Sequence, residues 1–158
     1  MTETKYGKYI LRGPKKGETN PTFLRHIAQL DGSMIEGAFN FTLTYISPKQ
    51  DHKVHGPHFH EYPEMIGFIG ADLNNPIDLG GEVDIYIGEE LEKHTFNQTT
   101  IVYFPPNLVH CPLVYKKIEK PFFFLISAPV GKTSETHRRD LVANSKISNL
   151  VYPTHENR

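Results

Sequence analysis

Tryptophan is absent from the 158 residues, cysteine occurs once, and neither sign of charge prevails, with 17 Lys and Arg against 18 Asp and Glu. A net charge of −1 sets up no field that would gather nucleic acid or acidic lipid, so no nucleic-acid partner is expected. A lone Cys111 cannot close an internal disulfide, which fits a reducing compartment. The longest apolar run, Phe122 to Ile126, is far below the roughly 20 residues of a membrane-spanning helix. The opening Met1 to Lys5 is too polar for a secretory signal. The expectation is a cytoplasmic protein with no membrane partner, long enough for one core.

What the chain does have is punctuation. Twelve glycines and twelve prolines divide it into short segments whose apolar residues recur with period two rather than with helical period, so the fold class reads as all-β. Phe41-Thr42-Leu43-Thr44-Tyr45-Ile46 alternates, with Phe41, Leu43 and Tyr45 on one face. Glu82 to Gly88 sets Val83, Ile85 and Ile87 against Glu82, Asp84 and Tyr86. Thr100 to Phe104 is a strand that must stop at Pro105-Pro106, where two amide hydrogens are missing. Phe122 to Ile126 is apolar on both faces and therefore no exposed edge. Because a small barrel has one interior, its second face implies a homodimer. Turn formers cluster at Asn74-Asn75-Pro76, Gly80-Gly81, Gly88-Glu89-Glu90 and Pro105-Pro106-Asn107. Strands at this spacing imply a sandwich or barrel. Tyr6 to Leu11 and Thr22 to Leu30 are each compatible with a strand or a short helix, and Arg138 to Val151 reads as a partly ordered tail.

Of nine histidines, four fall between Asp51 and His60. His58-Phe59-His60 puts two imidazoles on one face of a strand, with Glu64 four residues beyond. A proline-bounded turn, Pro105 to Val109, leads into a second strand that begins with His110. Imidazole nitrogen suits Zn, Fe, Ni, Cu and often Mn, and a carboxylate beside it leaves coordination positions open for water or substrate. His52 and His55 lie in a polar loop and face solvent or a substrate. His26, His94, His137 and His155 read as surface or capping residues. Cys111, directly after His110, points away from the imidazole face and reads as a small core residue. Tyr45, Tyr62, Tyr103 and Phe124 are the candidates for an apolar pocket lining.

The pattern His58-x-His60-x3-Glu64, followed by Pro105-x-Asn107-x2-His110, resembles the paired motifs of the cupin superfamily over roughly residues 40 to 128. The resemblance implies a double-stranded β-helix, or jelly-roll, barrel, with residues 1–39 and 129–158 as irregular N- and C-terminal extensions of a single domain. It also implies that His58, His60, Glu64 and His110 hold one divalent transition metal, Fe, Mn, Zn or Ni, with Glu64 as a ligand or a catalytic base. The function implied is a metal-dependent enzyme acting on a small organic molecule, of dioxygenase, isomerase, decarboxylase or lyase type. The alternative is a non-catalytic small-molecule-binding or sensor protein. His52 stands where the family usually has a glycine, Asn107 replaces a second glycine, and Val114 replaces an asparagine. Asparagine is the best non-glycine resident of a left-handed backbone position.

Overall fold

The computed structural model describes residues 5–13, 25–48, 54–143, 147 and 150–152. His52, His155 and the start of the segment from Thr22 lie outside the described residues. The all-β expectation is met. Among the described residues twelve strands form: β1 Arg25–Leu30, β2 Asn40–Ile46, β3 Val54–His55, β4 His58–Phe59, β5 Glu64–Gly70, β6 Asp78–Ile87, β7 Glu92–Gln98, β8 Thr100–Phe104, β9 His110–Lys116, β10 Phe122–Ala128, β11 Thr136–His137 and β12 Leu150–Val151. One sheet runs β1-β2-β10-β5-β8, a second runs β11-β4-β9-β6-β7, and β12 pairs with β3 in a third. Tyr6 to Leu11 contributes only a 3-10 turn, Gly7–Tyr9.

The two large sheets bury their facing side chains against each other. Ile66 and Phe68 from β5, Phe122 and Phe124 from β10, and Ile46 from β2 meet Val83, Ile85 and Leu113 from the second sheet. Phe68 is fully buried and lies 5.0 Å from the rings of both Phe96 and Phe124. Period-two alternation explains these faces, but its sign on β2 is the reverse of the usual one. The hydroxyl residue Thr44 and the last residue Ile46 point inward and are buried, while Leu43 and Tyr45 pair with Leu125 and Phe123 on the outside. Phe122 to Ile126 is a central strand, hydrogen-bonded to β2 on one side and β5 on the other.

Gly80-Gly81 is not a turn between strands. It lies inside the ten-residue β6, where the register with β7 slips between Asp78 and Val83. Gly80 has φ +72°, and a Cβ there would come within 2.5 Å of the Lys120 side chain, so a bulge with glycine satisfies both constraints. Asp84, on the face opposite Val83 and Ile85, is not wet. Its buried carboxylate accepts from Thr95 Oγ1 at 2.6 Å and pairs with Lys93 at 3.0 Å and with Lys116.

Residues 130–138, which follow β10, pack back over one end of the sandwich. Asn40 N donates to Val130 O, Gly32 N to Gly131 O and Arg138 N to Pro57 O. Thr136 and His137 pair with Phe59 and His58.

Candidate metal centre

His58, His60 and His110 converge as the sequence spacing implies. β4 and β9 are antiparallel neighbours, and His58 stands opposite His110. His60, two residues along, is brought to the same point by the turn before β9. There Asn107 takes φ +65° and its N–H donates to the His60 carbonyl at 2.7 Å, which welds the two histidine segments together. The asparagine thus occupies the left-handed position its residue type favours.

All three imidazoles are buried, and each is oriented from behind in the same way. His58 Nδ1 donates to Gly56 O at 2.9 Å, His60 Nδ1 to Ser134 O at 2.6 Å and His110 Nδ1 to Leu108 O at 2.9 Å. A carbonyl can only accept, so Nδ1 carries the hydrogen, and in the neutral ring Nε2 is left with its lone pair. Each ring also rests on an aromatic or imidazole neighbour. Phe104 stacks on His110 with centroids 4.1 Å apart, Tyr62 on His60 at 5.0 Å and His55 on His58 at 4.2 Å.

The ligand atoms of His58, His60 and His110 all lie within 4.8 Å of one another. Glu64, also buried, reaches the group with Oε1 3.5 Å from His60 Nε2 and Oε2 3.4 Å from His110 Nε2. These separations are too long for hydrogen bonds, and His60 Nε2 and His110 Nε2 are enclosed polar atoms with no hydrogen-bond partner. Orphaned buried nitrogens that face a carboxylate across such a gap fit a cation held between them.

Electrostatics at the centre are correspondingly uneven. Burial, with His55 and His110 as neighbours, drives His58 down to about 2. Burial pushes His60 down as well, but the Glu64 carboxylate outweighs it and leaves this imidazole raised. Burial pushes the Glu64 carboxyl up, yet the imidazoles of His110 and His60 prevail and hold it at about 2.

Three side chains at the centre have no counterpart among the expected site residues, and one expected loop residue turns inward. Phe104 is the platform for His110. Glu135, only 3% exposed in its side chain, accepts from His55 Nε2 at 3.0 Å and from His137 Nε2 at 2.6 Å. His55 is therefore partnered inside the site instead of facing solvent, and His137 is not a surface or capping residue. The spacing Glu135-x-His137, which puts both side chains on one face of an extended segment, was the available signal. His26, also expected at the surface, is partly buried with Nδ1 3.1 Å from Thr44 Oγ1. Cys111 belongs to the core, where burial pushes its thiol up.

Of the expected lining residues, Tyr62 is at the centre and Phe124 is in the core. Tyr45 and Tyr103 point outward because β2 and β8 turn their odd-numbered residues away from the interior. Tyr103 is 62% exposed. It lines an external groove of about 510 Å³ with Phe39, Pro63, Glu64, Met65 and Pro129.

No protein-family model and no curated protein matches the sequence. Solved structures do match the fold. The polyketide cyclase RemF from Streptomyces resistomycificus superposes with a TM-score of 0.51 at 16% identity, over 94% of this chain and 95% of that one. Oxalate decarboxylase from Lactobacillus farciminis, solved as a formate complex, superposes with a TM-score of 0.50 at 12% identity over 80% of this chain. The match spans only 35% of the oxalate decarboxylase chain. Among the described residues no helix is long and apolar enough to cross a membrane.

Proposed function

This chain has the double-stranded β-helix fold of the cupin superfamily, and from that premise we propose a metal-dependent enzyme acting on a small organic molecule. His58, His60 and His110 hold one divalent transition metal, and Glu64 is the fourth protein ligand or the adjacent base. The observation that carries this reading is the set of three buried imidazoles whose Nδ1 hydrogens are committed to carbonyls while two of their Nε2 atoms have no partner. The set of three imidazole nitrogens and a carboxylate suits Fe, Mn, Zn or Ni. Such an ion, when bound, polarises a substrate oxygen, or activates O2 if it is redox-active. The chain's own residues orient and shelter. The carbonyls of Gly56, Ser134 and Leu108 fix the tautomers, Phe104 and Tyr62 fix the ring planes, and the ionised Glu64 carboxylate stands beside His60 and His110 as an acceptor. The polyketide cyclase and the oxalate decarboxylase carry different chemistries on this fold, so the fold leaves the reaction class open.

The test is turnover of a panel of small hydroxy, keto and phenolic compounds by the purified protein, before and after chelation. The expected result is about one metal per chain by elemental analysis, with turnover that chelation abolishes and metal restores. Binding of a panel compound without turnover makes the protein a small-molecule-binding module or sensor.

We also propose that the protein is a cytoplasmic homodimer. The outer face of the five-stranded sheet carries Leu43, Tyr45, Phe123 and Leu125, and its β8 edge exposes Ile101 at 66% and Tyr103 at 62%. An apolar face of this kind favours an isologous partner, that is, a second copy of the same face. Sedimentation at micromolar concentration should give about twice 18.1 kDa, and Phe123→Asp should shift it to the monomer. A wild-type monomer overturns the reading.

A further inference from the structure

Two of the three imidazoles are oriented by a carbonyl two residues before them in the chain, Gly56 O for His58 and Leu108 O for His110. His60 breaks the pattern. Its Nδ1 donates to Ser134 O at 2.6 Å, across 74 positions, so its tautomer depends on a distant segment that must first dock. The same residue of that segment is gripped by Tyr62, whose hydroxyl donates to Ser134 O at 2.8 Å and accepts from Ser134 N at 2.9 Å. A carbonyl has two lone pairs, and the Tyr62 hydroxyl and the His60 ring take one each.

The ring of the same tyrosine stacks on His60 with centroids 5.0 Å apart and planes 17° from parallel. One side chain therefore holds both the imidazole and the carbonyl that the imidazole needs. Further along, Thr136 and His137 pair with Phe59 and His58, and Arg138 N donates to Pro57 O at 2.8 Å, which ties the segment to the strand that carries His58. We propose that Tyr62 is a positioning residue whose hydroxyl latches residues 130–138 onto the centre, so that docking of this segment and binding of the metal are one coupled equilibrium. This rests on the metal reading above.

The coupling runs through the His60 ring. A ligand to Nε2 needs the ring hydrogen on Nδ1, and the docked Ser134 carbonyl selects that tautomer. Docking therefore raises metal affinity, and by reciprocity bound metal strengthens docking by the same factor. His58 and His110, with their acceptors two residues away, are independent of the segment. The hydroxyl is the element to remove, because the stacked ring stays in place without it.

The test uses Zn2+ alone, an ion without redox chemistry, with the metal-free full chain of wild type and Tyr62→Phe. Affinity is followed by titration, docking by amide hydrogen exchange over residues 130–138, and the tautomer of each imidazole by its ring 15N shifts. Zn2+ should slow exchange over residues 130–138 in wild type. Tyr62→Phe should bind Zn2+ about 10-fold more weakly, the lower end of the loss that follows removal of an orienting group. Without metal, the variant should exchange faster over the same residues and show His60 as a mixture of tautomers, while His58 and His110 keep theirs. A purely structural role for Tyr62 would lower stability without singling out His60. Wild-type affinity and an unchanged His60 tautomer in Tyr62→Phe overturn the proposal, while the three-histidine centre stands. No Zn2+ binding by wild type refutes the metal reading itself. Should Tyr62→Phe fail to fold by circular dichroism, wild type decides: exchange over residues 130–138 that is the same with and without bound Zn2+ overturns the coupling.

Discussion

His110→Ala is expected to abolish stoichiometric metal binding, lowering affinity at least 100-fold, because His110 is the sole imidazole ligand supplied by the second sheet's long strand β9. Loss of a partner that merely orients a ligand already costs about 10–100-fold, and removing the ligand itself should cost more. The substitution leaves His58 and His60 tied to Gly56 O and Ser134 O, so the remaining pair keeps its orientation. It also removes the ring on which Phe104 stacks, so some stability is lost with the metal. Elemental analysis of purified variant and wild type, together with a denaturant midpoint for each, separates the two effects. A folded variant that retains about one metal per chain would refute the centre even with the barrel intact.

The metal-free protein should lose stability steeply on mild acidification. His58 is held at about 2 in the folded state against about 6.5 when unfolded. Below pH 6.5 the unfolded chain therefore binds a proton that the folded chain refuses. Stability falls by up to about 1.4 kcal/mol per pH unit for each such proton, or about 2 kcal/mol between pH 6.5 and 4.5, because the unfolded imidazole is only half protonated at 6.5. Glu64, also held at about 2, adds a second proton of the same sign below about 4.5. His60, whose value is raised, has the opposite sign: its contribution is fully present below 6.5 and is lost as pH rises through its folded value. It therefore does not offset the slope in the acid window. Against a typical total of 5–15 kcal/mol, urea midpoints of chelator-treated protein at pH 7, 6 and 5 should fall visibly. A flat series would mean that His58 accepts its proton in the folded state.

Much of the barrel was legible because its strands are short and bounded. Val83 and Ile85 behaved as alternation dictates, and Pro105-Pro106 ended β8 where two amide hydrogens are missing. Alternation alone does not say which face is inside, and β2 shows why. Phe41, Leu43 and Tyr45 look like the core face, yet the inner position falls to Thr44 because the apolar residues match the outer row of β10. Strand β7 was illegible for the opposite reason. Glu92 to Gln98 is a polar edge whose chief inward residue is Phe96, so it carries almost no periodic signal. In the centre, His58, His60, Glu64 and His110 were readable because their spacing is local to two segments. Glu135 and His55 were not, because they meet across 80 positions and only the return of the chain over the barrel brings them together.

The carbonyl that orients His60 belongs to Ser134, which also accepts from the Tyr62 hydroxyl. A ribosome delivers His58, His60 and His110 well before it delivers Ser134, which follows His110 by 24 positions (134 − 110). At roughly 5–20 residues per second, that interval lasts from about one to several seconds. Throughout it water, not a fixed carbonyl, accepts the His60 ring hydrogen, so the ring can present either nitrogen. On the proposed metal reading, translation order postpones correct ligation: an ion captured before Ser134 arrives would meet an unaligned imidazole, and its exchange rate would decide whether it can still be repositioned.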